Sequence, residues 1–217
     1  MELVENKLKD LVKSSKDSLY VTVLAEEQFD SLGEPYAILR HIYQQLTELM
    51  LQLDMPLLDV RVFIKPYFCY LGNSMKTHEF HMRNDQYCNS MGSNMLEYQY
   101  RLQSFPNVAI GGTFDHLHAG HKLMLSVAAM LSSESILCGI TDDQMLSGKS
   151  YRERIEDWNI RAARVRQFLT EFAPPEIRIN LIRITDAHGP TITEPNLQAL
   201  IVSPETIPGG ISSKCAS

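Results

Sequence analysis

Apolar residues along this chain fall into blocks of alternating period. Leu19-Tyr-Val-Thr-Val-Leu24 is β-branched and apolar and predicts a strand. Ile38, Leu39, Ile42, Leu46, Leu49 and Met50 recur at helical spacing, and Leu57-Leu-Asp-Val-Arg-Val-Phe-Ile64 returns to a strand ended by Lys65-Pro66. Ahead of them, residues 1–17 carry the spaced leucines Leu3, Leu8 and Leu11 and read as a short amphipathic helix or a mobile start. Residues 70–103 lose sustained periodicity and read as a linker or a large surface excursion.

From Asn107 the pattern becomes regular. A strand over 107–111 leads to a helix starting near Gly120, whose Leu123, Met124, Val127, Ala128 and Leu131 are expected to form the buried face. Strand Ser135–Ile140, a helix from about Glu153 to Phe172, strand Glu176–Ile184, a short helical stretch around Pro195–Gln198 and strand Ala199–Ser203 follow. Strands separated by helices imply right-handed crossovers and a parallel sheet. The expected fold is α/β: a Rossmann-like parallel sheet over 105–217, a small N-terminal α/β extension over 1–69, and a linker over 70–104.

Composition changes this picture little. The chain is 44% hydrophobic and 21% charged, ordinary for a globular protein. A net charge of −6 argues against broad attraction to nucleic acid or an acidic membrane, but leaves room for a local anion site. No apolar run approaches the ~20 residues needed to span a bilayer. The cysteines Cys69, Cys88, Cys138 and Cys215 make no CxxC pair, and the charged start is not a secretory signal. Reduced thiols in a cytoplasmic protein are expected. His78 and His81, flanked by Cys69 and Cys88, have zinc-ligand chemistry at spacings that match no compact zinc pattern, so no metal site is expected.

The candidate chemistry lies in Val108-Ala-Ile-Gly-Gly-Thr-Phe-Asp-His-Leu-His-Ala-Gly-His-Lys-Leu-Met-Leu125. An apolar strand breaks at Gly111-Gly112 and delivers His118 and His121 to the mouth of an apolar helix. Glycines permit close backbone approach, and a helix N-terminus offers unpaired N–H groups and a positive dipole end suited to phosphate. Further on, Gly148-Lys149-Ser150 imitates the end of a P-loop, but Asp143 stands where that loop needs glycine. Lys149 is therefore read as a mobile cation near the site. Asp186-Ala-His-Gly-Pro190 and Ser203-Pro-Glu-Thr-Ile-Pro-Gly-Gly210 each follow a strand's carboxyl end, where ligands of such sheets bind.

The Gly-Thr-Phe-Asp and His-x-Gly-His elements together resemble the signature of the HxGH nucleotidyltransferases. With the Thr-Asp-Asp-Gln-Met-Leu loop, the Asp-x-x-Gly-Pro turn and the Ser-x-Glu-Thr-x-x-Gly-Gly stretch, residues 107–210 are similar to the eukaryotic and archaeal type of phosphopantetheine adenylyltransferase. The resemblance implies transfer of AMP from ATP to 4′-phosphopantetheine, giving dephospho-coenzyme A and pyrophosphate. It implies that His121 hydrogen-bonds the α-phosphate in the transition state and that His118 supports the triphosphate. Lys149 would bind the acceptor phosphate, completing the catalytic set, with Arg161 a supporting cation and Thr113 touching either phosphate. Gly111, Gly112, Phe114, Gly120, Ser203, Glu205 and Thr206 would lie by the nucleotide, and Mg²⁺ would accompany ATP. Asp115 reads as structural or catalytic, and His116 as a neighbour.

In that family the pattern continues well past Gly-Gly, into an arginine-bearing serine-rich motif. Here it is left at Ile211, so a C-terminally incomplete domain with impaired activity is expected. With no P-loop, the product would pass to a separate dephospho-coenzyme A kinase. Two other readings stand beside this one: a cytidylyltransferase-like enzyme of the same superfamily, and a non-catalytic protein that binds nucleotide or partner enzymes.

Overall fold

The computed structural model describes residues 2–25, 33–56, 58–65, 78–82, 104–186, 189, 194–203 and 206, with side chains for all but 2–7, 24, 25, 33, 65 and 78–82. The chain divides into two compact units, Met1–Gln103 and Ser104–Ser217.

In the first unit, α1 (Glu2–Ser14) precedes β1 (Ser18–Ala25), α2 (Gly33–Gln52), β2 (Asp59–Lys65) and β3 (His78–Met82). The three strands pair in parallel in the order β2-β1-β3. Strand residues alternate sides. Leu19, Val21 and Val23 therefore share a face with their register partners Val60, Val62 and Ile64, all buried. Helix α2 buries Ile38, Leu39, Ile42, Leu46 and Leu49, as its spacing predicts. Tyr43 of the same helix accepts the Val62 N–H through its hydroxyl at 3.2 Å. On the opposite side of the sheet Tyr20 stacks on Phe63, and the Arg61 guanidinium lies over Tyr20 while bonding Asp59 at 2.8 Å.

Strand β3 falls inside the stretch expected as a linker. It pairs with Val21–Ala25 through main-chain groups, which any residue type supplies, whereas His-Glu-Phe-His-Met shows no apolar alternation to announce a strand. Residues 66–77 and 83–103, with Cys69 and Cys88, lie outside the described residues.

The second unit contains β4 (Phe105–Gly112), α3 (Ala119–Leu131), β5 (Ser132–Thr141), α4 (Trp158–Phe172), β6 (Arg178–Ile184) and β7 (Ala199–Ile201). All pairings are parallel, in the order β6-β5-β4-β7. Strand order reverses at β4, which places a ligand crevice outside its carboxyl end. Val108, Ala109, Ile110, Ile136, Cys138 and Ile140 fill the sheet, and α4 covers it with Ala162, Val165, Phe168, Leu169 and Phe172. Burial pushes the Cys138 thiol well above its ordinary pKa, so it packs as a small hydrophobe.

Local departures from the sequence pattern have identifiable causes. Helix α3 buries Lys122, Leu125, Ser126, Ala128 and Ala129, while Leu123, Met124, Val127 and Leu131 are only half-buried. The Ser126 hydroxyl donates to the Lys122 carbonyl at 2.8 Å, so a polar residue sits on the buried side without a stranded group. Helix α4 begins at Trp158 and not near Glu153, because Arg152–Arg154 is a separate turn entered through Tyr151 at φ 59°. Pro195-Asn196 is a turn and not a helix. It is held by Asn107, whose side-chain amide donates to the Asn196 carbonyl at 3.0 Å and whose backbone N–H donates to the Gln198 side-chain oxygen at 2.8 Å. Strand β7 ends at Ile201, before Val202 and Ser203.

Candidate functional site

Strand β4 ends at Gly112, and the chain turns sharply into α3. Phe114 and His116 adopt left-handed backbone conformations, φ 53° and 43°, which non-glycine residues rarely take and which cluster at functional turns. The glycines make room chiefly for protein side chains. A Cβ on Gly111 would sit 3.3 Å from Ile184 Cδ1, and one on its register partner Gly139 only 2.6 Å from the same atom. On Gly112 it would press the Phe114 ring at 3.3 Å, and on Gly120 the His118 ring at 3.2 Å. Phe114, expected beside the nucleotide, is just 1% exposed and packs beneath the glycine turn.

His118 is the N-cap of α3, with no side-chain cap bond to the helix. Its ring stacks on His121 with centroids 3.7 Å apart, and His121 leans on Phe114 at 5.3 Å. His121 Nδ1 is buried without a hydrogen-bond partner. Burial, helped by the Lys122 charge, lowers the His118 pKa, and Asp115 opposes the shift. For His121, burial and then His118 bring the pKa down to about 4; Lys149 also lowers it, and Asp115 raises it. Both imidazoles are therefore neutral near pH 7 and act as hydrogen-bonding groups. Positive charge at this end comes from the helix dipole, Lys122 and Lys149. Lys149 Nζ donates to Thr113 Oγ1 at 3.0 Å, joining two residues that lie thirty-six positions apart in sequence.

The loop after β5 is pinned along its length. Asp142 accepts the Gln144 N–H and the Arg183 guanidinium, which hold its carboxyl below the usual carboxylate range. Trp158 donates Nε1 to the Ile140 carbonyl at 3.1 Å, carries the Arg183 guanidinium 4.0 Å above its ring, and gives its N–H to Asp143. Arg161 was expected to be a cation near the acceptor phosphate. The structure buries it completely, with its donors engaged by protein oxygens. Sequence spacing conveys none of these partners, since a lone helical arginine looks the same whether its target is a phosphate or a ring of carbonyls.

Asp115 is structural here, accepting the Glu156 N–H at 2.9 Å. Asp115, His116 and Glu156 bring ligand-type atoms within 4.8 Å of one another. Both Glu156 oxygens, however, pair with Arg164, one also accepts the His116 N–H, and His116 Nε2 lies 3.1 Å from the Arg154 carbonyl. This trio does not fit a resident metal. Ser203 and Thr206 share a hydroxyl hydrogen bond at 3.0 Å past the end of β7; Glu205 lies outside the described residues.

A family model described as cytidylyltransferase-like matches residues 109–210. A phosphopantetheine adenylyltransferase of Saccharomyces cerevisiae is 42% identical over 105 residues, 48% of this chain and 34% of the yeast protein. One from Pyrobaculum aerophilum is 36% identical over 48% of this chain and 65% of its own length. A solved chain of unknown function from Archaeoglobus fulgidus is 30% identical, with coverage of 50% of this chain and 85% of that one and a TM-score of 0.43. The chain thus spans a third of the yeast relative and just under two thirds of the archaeal one.

Proposed function

We propose that the chain, whose residues 109–210 match a cytidylyltransferase-like family model, transfers AMP from ATP to 4′-phosphopantetheine, releasing pyrophosphate and dephospho-coenzyme A. The observation that carries the proposal is the stacked, neutral His118–His121 pair at the uncapped N-terminus of α3, with Lys149 on Thr113 beside the glycine turn. The names of the yeast and archaeal relatives supply the substrates.

Such a site needs few chemical groups. The attacking oxygen belongs to a phosphate monoester already ionised near neutral pH, so no general base is required. It forms a bond to the α-phosphorus as the bond to the bridging oxygen breaks, and the electron pair leaves with pyrophosphate. The protein's task is to position the reactants and stabilise charge on the α-phosphate. With Nδ1 of His121 sealed and unpartnered, the proton rests on Nε2, because a stranded N–H costs more than a bare lone pair. Nε2–H then donates to an α-phosphate oxygen. His118 supports the triphosphate, and Lys149 with the Thr113 hydroxyl receives the acceptor's phosphate. Gly112, Gly120, Ser203 and Thr206 would lie by the nucleotide. Mg²⁺ is the cation expected to accompany ATP, where it would neutralise charge on the phosphates. Such an enzyme works in the cytoplasm. Among the described residues, no helix is long and apolar enough to cross a membrane.

Pyrophosphate release, measured with ATP or CTP against phosphopantetheine, glycerol phosphate and choline phosphate, tests the proposal. Release is expected with ATP and phosphopantetheine alone. His121→Ala should lower it by about 10²–10³, the usual worth of one transition-state donor, with a cooperative unfolding transition retained. Turnover only with CTP would replace the proposal with the cytidylyltransferase reading, and silence with every pair would favour a non-catalytic binding role.

A further inference from the structure

Arg161 is the largest fully buried side chain of the molecule's described residues. An ion taken out of water must be compensated by close, well-directed partners. Arg161 has them in four places. Its Nε donates to the Glu156 carbonyl at 2.7 Å, and Nη1 to the Thr113 carbonyl at 2.6 Å. Nη2 donates to the Thr141 carbonyl at 3.0 Å and to Asp143 Oδ1 at 2.6 Å. These acceptors occupy separate parts of the site. Thr113 follows the glycine turn of β4, Thr141 ends β5, Asp143 starts the loop that carries Lys149, and Glu156 precedes α4 and holds Asp115 through its N–H. The same Thr113 whose carbonyl is held by Arg161 receives Lys149 on its hydroxyl.

We infer that Arg161 is a positioning residue: one guanidinium sets the spacing between the glycine turn and the loop bearing Lys149, so that the Thr113 hydroxyl and the Lys149 ammonium converge on a single phosphate. It touches no substrate. A planar fork with five donors spans four acceptors in three directions, which the single ammonium of lysine cannot do. Asp143 is its link to the loop, and the Asp143 carboxylate is also fixed from the other side by the Trp158 N–H at 3.3 Å. The kinetic part of this inference rests on the proposed AMP transfer; the structural part does not.

The test compares the full 217-residue chain with Arg161→Lys, Asp143→Ala and Asp143→Asn. Backbone hydrogen exchange is followed residue by residue. Asp143→Ala cuts the tie to the loop and leaves the three carbonyl bonds of Arg161, so it guards against simple loss of fold. Exchange over 142–150 is expected to quicken about ten- to a hundredfold in Asp143→Ala, the worth of one charged hydrogen bond, with β5 and the body of α4 unchanged. Asp143→Asn, which keeps a carbonyl oxygen in place, should restore part of the protection. Arg161→Lys should quicken both 142–150 and 112–115. In the transfer assay, Asp143→Ala should raise KM for the phosphorylated acceptor about tenfold while KM for ATP changes less.

Unchanged exchange over 142–150 in Asp143→Ala would overturn the inference, as would equal quickening throughout the second unit. If the unaltered chain transfers no AMP, the proposed function falls while the exchange result still decides the role of Arg161.

Discussion

His121 makes folding of its unit sensitive to acid. Its pKa is about 4 in the folded chain against an ordinary 6.5, so between those values the unfolded chain binds the additional proton. Its contribution to stability is therefore complete above about pH 6.5 and declines as pH falls toward 4. Urea melts should show an unfolding midpoint that drops between pH 7.5 and pH 5, and His121→Ala should flatten that slope. A phosphate ligand reverses the balance, because an adjacent negative charge favours the imidazolium. Binding of ATP near pH 5.5 should take up protons, visible as a buffer-dependent binding heat that shrinks in His121→Ala and shrinks further when His118 is also replaced. The glycines make a second residue-level prediction. Gly139→Ala places a Cβ 2.6 Å from the Ile184 side chain and should cost about 1–3 kcal/mol in chemical denaturation, most of it recovered when Ile184→Ala opens the space. The motif around His118 and His121 could be read from spacing alone, because strand, turn and helix mouth follow one another directly in the chain. That Ile184 and Phe114 fill the space left by glycine could not, since those contacts are set by the fold.

At the scale of the element, α3 shows how a helix face is chosen. Hydrophobicity points to Leu123 and Met124, yet the turn through Phe114 and His116 fixes the helix rotation so that Leu125 and Ser126 are wholly buried. Leu125→Ala should accordingly cost about 2–5 kcal/mol, and Leu123→Ala distinctly less, in the same denaturation experiment. A selection based on apolarity alone would rank the two alike. The longer elements were legible because their apolar periods run for many residues: α2, β4, β5 and β6 all lie within a few positions of their expected bounds. The elements that escaped are short or polar. Strand β3 is five residues of mixed character, and the Pro195-Asn196 turn depends on Asn107, nearly ninety positions away.

Across the whole molecule, two parallel sheets follow one another in sequence, each with its own buried side chains. Among the described residues, the candidate site lies in the second. All of its recognisable features gather where strand order reverses, at the carboxyl end of β4, as such sheets require. The first sheet was visible as strand, helix and strand, but it lacks any motif from which a ligand could be inferred. Its core gives a direct test of independence. Leu39, wholly buried on α2, should when changed to Ala destabilise the first unit by about 2–5 kcal/mol and leave the second unfolding at its former denaturant concentration. A reporter for the second unit's own transition is built into the chain. Trp158 is its single tryptophan, clamped between the Ile140 carbonyl and the Arg183 guanidinium at the root of the loop that carries Lys149. Tryptophan emission from this protein, excited where its tyrosines do not absorb, therefore comes with an address: a shift in its colour or intensity reports events at one indole ring beside the candidate site, and a fluorimeter needs no added label to watch a nucleotide arrive.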